Sequence, residues 1–337
     1  MDRSKFSSIN NKFSGIFFCF LIALPAWFLG KQVPVIGGPV IAILFGLVIA
    51  IFPRNSNFEV GIKFTSKKIL QLAIVLLGFG MNFFEIFEVG SQTLLIIIAT
   101  ISVALIVSYV LNKAMKAPVK TSILVGVGSS ICGGSAIAAT APVIDADCDE
   151  IATSISVIFL FNVIAAFLFP VLGRLIGLSD IGFGMWAGTA INDTSSVVAA
   201  ATTWSVAEGS DVALNYATIV KLTRTLAIIP ITIILGSYRS IKEKSNSNVN
   251  ILKIFPWFIL FFLLAAVFNT VLSIPSETSR LLTQSGKFFI TMAMVSIGLN
   301  TNIAKLIKTG GKFIIIGFSC WVSIALVSLA MQSMLGF

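Results

Sequence analysis

The sequence predicts an all-α polytopic membrane protein of about eleven transmembrane helices, N-in and C-out, and three observations predict it. The 337 residues are 57% hydrophobic and 11% charged, against roughly 45 to 50% apolar and about 25% charged in soluble domains. The apolar residues gather into runs of about 20, the length that crosses a hydrocarbon core of about 30 Å. The basic residues concentrate on alternate loops, the asymmetry that orients an inserted chain.

In order, the runs fall at 13–30, 35–52, 66–82, 91–111, 121–144, 151–172, 182–204, 214–236, 254–274, 286–302 and 313–335. Arg3, Lys5 and Lys12 precede the first run as in a signal peptide, but no small-x-small cleavage site follows, so the run reads as a retained span. Residues 1–12 are expected to be a cytoplasmic N-terminal segment and 13–335 a single transmembrane domain. No soluble domain is expected, and the Ser-, Asn- and Lys-rich stretch 237–253 reads as a cytoplasmic linker.

With the N-terminus inside, 18 of the 23 basic residues lie on the inner side and only Lys31, Arg280 and Lys287 lie outside. Acidic residues lean the other way, with Glu85, Glu88, Asp145, Asp147, Asp149, Glu150, Glu208, Asp211 and Glu277 outside. The net charge of +9 is therefore a topology signal, and nucleic acid is not an expected partner. The chain has no histidine, which excludes Ser-His-Asp and Cys-His catalysis, His-ligated zinc and an imidazole proton relay. Cys19, Cys132, Cys148 and Cys320 are widely spaced, without the pairing of a disulfide framework or metal knuckle. No cofactor or metal is expected, and the chain does not read as an enzyme.

Two stretches break the apolar pattern. Gly128 to Val143 reads GSSICGGSAIAATAPV. An unpaired amide in the bilayer core costs several kcal/mol, so a Gly-Gly break is tolerated only where backbone faces protein or a polar cavity. Close packing of small residues is the alternative. Ser129, Ser130, Cys132, Gly133, Gly134 and Ser135 are candidate substrate-binding residues; Cys132 lacks a base to activate it and reads as a packed small residue. The second stretch, Ala187 to Thr203, holds Asn192, Asp193, Thr194 and Ser195, all of them helix-capping types that start a second half-helix. Half-helices whose N-termini meet near the midplane would suit an anion.

Lys221, Arg224 and Asp193 are the charges left inside spans, where each costs about 2.5 to 3.5 kcal/mol and faces a cavity or a partner. Lys221 and Arg224 share a helix face at i and i+3, and Pro230 is expected to kink that helix. Asp193 reads as a cap, a proton or cation site, or a counter-ion to the basic pair. In the last case one positive charge is left over, which favours an anionic substrate. Gly80-Met81-Asn82 and Gly298-Leu299-Asn300, offset by 218 positions, hint at an inverted repeat. Asn82 and Asn300 are additional candidates, with helix capping as their plain role.

These motifs resemble the bacterial inner-membrane family named for sulfate export, placed among cation:proton antiporters and bile-acid-type anion transporters. Its carriers are GSSICGGSAIAATAPV, GTAINDTSSVVAAA at Gly188 to Ala201, KLTR at Lys221 to Arg224, PWF at Pro256 to Phe258, and the glycine turns at Gly78 to Asn82 and Gly298 to Asn300. The resemblance implies a multi-pass protein of the bacterial cell inner membrane, an inverted-repeat secondary transporter with panel and core domains and broken helices at the midplane. The chain departs from the family pattern at Asn192, where the family often has His, at Ser196, where it often has Gln, and at Asn82, where it commonly has Arg. These departures put the substrate and coupling ion at issue.

The expected function is transport of a small anion, such as sulfate, another sulfur oxyanion or a sulfonate, by alternating access, with H+ or Na+ as coupling ion and a homodimer as an open assembly state. The alternatives are a Na+:proton antiporter using Asp193 as the titrating carboxylate, and a non-transporting membrane receptor or assembly protein.

Overall fold

Helix is the one regular structure among the described residues, as expected where lipid leaves backbone groups no partners but each other. The computed structural model describes residues 3–33, 38–53, 56–243, 257–272, 274–300 and 311–336. Part of the 237–253 linker, Pro256 of the PWF motif and most of the loop before residue 312 lie outside these.

The first helix, α1 (Arg3–Gln32), begins within the expected N-terminal segment, and its apolar stretch runs from Lys12 to Gln32. α2 (Gly38–Ile49) follows, then α3 (Glu59–Phe64), a π-helical turn (Thr65–Ile69) and α4 (Leu70–Gly78). α5 (Phe83–Met115) takes Glu85 and Glu88 into its first turns, where the sequence suggests a loop. α6 (Val119–Ser130) and α7 (Gly134–Thr140) share one expected run, as do α9 (Asp180–Ala190) and α10 (Thr194–Glu208). Between these pairs lies α8 (Cys148–Leu175), opened by a capping box of Asp147 and Glu150.

α11 (Val212–Thr225) and α12 (Ile228–Glu243) are divided at Leu226-Ala227. The break sits four residues before Pro230, which has no N–H to give the carbonyl there. The chain continues with α13 (Trp257–Leu272), α14 (Ser276–Asn300) and α15 (Gly311–Leu335).

Among the described residues five stretches are long and apolar enough to cross a membrane: Lys12–Gln32, Phe83–Met115, Asp149–Leu175, Val212–Leu235 and Gly311–Leu335. The shorter apolar helices include α2 and α13; a helix of twelve residues such as α2 is about 18 Å long, less than a hydrocarbon core of about 30 Å.

The helices pack as two units of interleaved segments. One contains residues 1–87, 198–215 and 257–302; the other contains 88–197, 216–256 and 303–337. In the first, α2 and α14 touch backbone to backbone. A Cβ on Gly298 would lie 2.4 Å from the Ile43 carbonyl, and one on Gly46 would lie 2.4 Å from that of Val295. Gly298 is thus a helical contact and not the turn expected of it, whereas Gly80 does lie in the turn after α4. That turn is held by side chains: Ser279 donates to the Phe79 carbonyl, Asn269 to that of Met81, and Thr270 accepts from the Phe83 amide. In the second unit α9 is pinned to α15, since Thr189 Oγ1 lies 2.6 Å from Ser328 Oγ and Trp186 Nε1 donates to the Ala325 carbonyl at 3.1 Å.

Candidate functional site

Both breaks belong to the second unit, and they meet. α6 ends at Ser130, the chain turns through Ile131, Cys132 and Gly133, and α7 restarts at Gly134. Gly133 has φ +69° and ψ −129°, a backbone state open in practice to glycine alone. A Cβ there would sit 3.3 Å from Cβ of Asp193 and 3.6 Å from Nδ2 of Asn162. The glycine therefore fixes the local turn and lets the first break rest against the second.

The second break runs from Ile191, whose backbone is extended at φ −84° and ψ 131°, to Thr194. Asp193 caps α10: its Oδ2 accepts from the Ser195 amide at 3.0 Å and also from the Ser195 hydroxyl. Its own amide donates to Oδ1 of Asn162 at 3.1 Å. Asn162 projects from α8 and is 2% exposed. It ties the second break to α8 beside Gly133 of the first, yet one asparagine in an apolar helix carries no sequence signal that singles it out.

Lys221 and Arg224 are both fully buried on α11. Lys221 Nζ donates to the Ile131 carbonyl at 2.7 Å and to that of Ile191 at 3.0 Å. Arg224 Nε donates to Ser130 O at 2.7 Å, Nη2 to Ser129 O at 2.9 Å, and Nη1 to Thr189 O. The cations thus tie together the C-terminal carbonyls of α6 and α9, the orphan acceptors and negative dipole ends that each break creates. α11 comes close enough because position 188 is glycine; a Cβ there would meet Val220 Cβ at 2.8 Å.

The sequence leaves open whether Asp193 is a cap, a titrating site or a counter-ion to the basic pair; in the structure the pair's hydrogen bonds go to backbone carbonyls. Among the described residues no ion pair joins Asp193 to either cation. The carbonyls win because each is buried, needs a donor and cannot move away. Hydrogen-bonding capacity remains, since a lysine carries three N–H donors and an arginine five.

Cys132 lies in an apolar cluster with Val127, Ile131, Ala136 and Ile228, the packed small residue its setting suggests. Ser135 is exposed, Gly134 is half-buried and open on the side where a Cβ would sit. Thr194 and Ser195 begin α10 and are buried. Asn192 is fully buried with neither side-chain oxygen nor nitrogen hydrogen-bonded, and Ser129 Oγ is also buried without a partner. Asn82 and Asn300 belong to the other unit. Asn82 Oδ1 accepts from the Phe84 amide at 2.8 Å and caps α5, and Asn300 is exposed at the last described position of α14.

Comparison with known proteins places the chain. Residues 14–317 match the family model described as Conserved hypothetical protein 698. The chain is 55% identical over 329 residues to a UPF0324 membrane protein of Streptococcus agalactiae, covering 96% of this chain and 98% of the relative. It is 57% identical over 335 residues to the UPF0324 membrane protein of Streptococcus mutans, with coverage of 96% and 98%. For a UPF0324 membrane protein of Fusobacterium nucleatum the identity is 54% over 345 residues, with coverage of 97% and 99%. A family model matched over most of the chain, and relatives more than half identical over nearly their whole length, lead to one assignment: this chain belongs to the Conserved hypothetical protein 698 family of UPF0324 membrane proteins.

Proposed function

We propose that the chain is a secondary transporter carrying a small anion, a sulfur oxyanion or sulfonate, across the bacterial inner membrane by alternating access, with eleven spans and its N-terminus in the cytoplasm. The observation that carries this reading is the meeting of two helix breaks inside one packing unit, Gly133 of one break against Asp193 of the other. Interrupted helices at membrane depth are tolerated where they line a ligand cavity. Asn192 and Ser129 have hydrogen-bonding capacity left for a bound oxyanion, and so do the remaining N–H groups of Lys221 and Arg224.

Charge refines the reading. Two buried cations face one carboxylate, which leaves a formal surplus of one. Each helix C-terminus they cap contributes about half a negative charge and each helix N-terminus that restarts at a break about half a positive one, so the dipole ends offset one another and the surplus of one remains. A centre with one positive charge over favours a small anion.

The test is flux into proteoliposomes of sulfate, sulfite, thiosulfate and taurine, with and without Na+ and pH gradients. Asn192→Ala is expected to lower flux at least ten-fold while the melting temperature in detergent stays within about 2 °C. Wild-type protein that moves none of these solutes would sink the anion reading. Collapse of a pH gradient on adding Na+, abolished in Asp193→Asn, would replace it with cation:proton antiport.

A further inference from the structure

The first unit carries a groove of about 450 Å³ between α4 and α13, separate from the two breaks. On one wall Lys68, Leu72, Val75 and Phe79 follow one another at helical spacing; on the other stand Trp257, Phe261, Leu264 and Phe268. The two helices run in the same direction. Gly78 lies against Phe262 and Ala265, and beyond it the Phe83 amide reaches Thr270. Lys68 and Trp257 therefore stand at the same end of the groove.

A lysine and a tryptophan at the same end of a groove mark a headgroup boundary. From Lys68 to Phe79 is eleven residues, about 16 Å at 1.5 Å per residue, or half of a hydrocarbon core of about 30 Å. The groove thus has a cation and an indole at one end, an apolar and aromatic path below them, and the depth of one leaflet. The π-helical turn Thr65–Ile69 contains Lys68. A π turn shifts the helical register by a residue and is frequent at functional sites. The turn lies at the head of the stripe of Leu72, Val75 and Phe79. Among the described residues Lys68 has no carboxylate partner.

We propose that this groove is a binding site for one anionic phospholipid, its phosphate at Lys68 and one acyl chain lying along Val75, Phe261 and Phe268. A phosphodiester supplies the negative charge that Lys68 faces, and the apolar walls match a chain that ends at the bilayer centre. A helix from a second copy would fill the apolar part and leave the lysine unmatched.

Trp257 reports on the site. In vesicles of phosphatidylcholine doped with either dibrominated phosphatidylglycerol or dibrominated phosphatidylcholine, its emission is taken as wild type minus Trp257→Phe. At equal mole fraction the anionic lipid is expected to quench it more effectively, by roughly five-fold in relative affinity, the ratio expected of one lysine at a charged bilayer surface. Lys68→Gln is expected to remove the preference and leave quenching by dibrominated phosphatidylcholine unchanged, which also shows that the variant is folded. Equal quenching by both lipids in wild type would overturn the proposal, as would a preference that survives Lys68→Gln. Millimolar inorganic phosphate relieving the anionic lipid's quenching would mark a free-ion site instead. Protection of Trp257 from both lipids, together with a dimer on cross-linking, would give the groove to a second copy.

Discussion

The two breaks meet at one place but are built from different chemistry. The first uses glycine: α7 starts after Gly133 with φ +69° and no side-chain cap. The second uses side chains: Asp193 caps α10 through Ser195, and Asn162 takes the Asp193 amide. The difference extends to exposure, with Ser135 beside the first break open and Asn192 in the second fully buried. A helix can be interrupted in a membrane either by removing a side chain or by supplying one that bonds the freed backbone. What the breaks have in common is the acceptor ends of α6 and α9, both held by the cations of α11.

If the cations are the common element, their removal is the largest perturbation. Arg224→Ala strips donors from three buried carbonyls, at about 1 to 3 kcal/mol for each acceptor left unsatisfied. The expected result is loss of folded protein on size exclusion in detergent, with Lys221→Ala, which strips two, less severe. Equal melting temperatures for Arg224→Ala and wild type would show that the breaks hold without the clamp.

The glycine break comes next and divides its two glycines. Gly133→Ala places a Cβ where φ is positive and Asp193 stands 3.3 Å away, with an expected loss of about 1 to 3 kcal/mol. Gly134→Ala meets nothing within 4 Å and stands at the start of α7, where alanine is favoured over glycine by up to about 1 kcal/mol. Thermal unfolding of the pair side by side should show a large fall for the first and no fall for the second. A similar fall in both would mean that packing, and not backbone geometry, decides this break.

The side-chain break gives the smallest effect. Asp193→Ala should cost about 1 kcal/mol, within the roughly 0.5 to 2 typical of a lost N-cap, whereas Asp193→Asn keeps a capping oxygen and should lose less. If both variants unfold alike, capping is not what the carboxylate contributes.

Much of this centre is legible from residue types. Gly133-Gly134 and Asn192 to Ser195 announce breaks because glycine and capping residues act on their own backbone, within a few positions. Lys221 and Arg224 stand out because an apolar helix rarely carries charge. Their partners were not legible, because backbone carbonyls look the same at every residue and only the crossing at Gly188 shows which ones come within reach. Asn162 and the helical contact of Gly298 escaped for the same reason: each makes contacts to helices distant in sequence, and nothing near it in the chain records them.

The amino-acid sequence by itself determined that this protein is helical and membrane-embedded, where the helices are interrupted and which charges lie inside. Hydropathy, glycine and capping chemistry act locally and survive in a string of letters. Tertiary structure decided that the two breaks touch, that the basic pair holds carbonyls and not Asp193, and that α4 and α13 leave a groove with a lysine at its end. Each of these depends on which helices pack together, and that is settled by close contacts between residues tens to hundreds of positions apart.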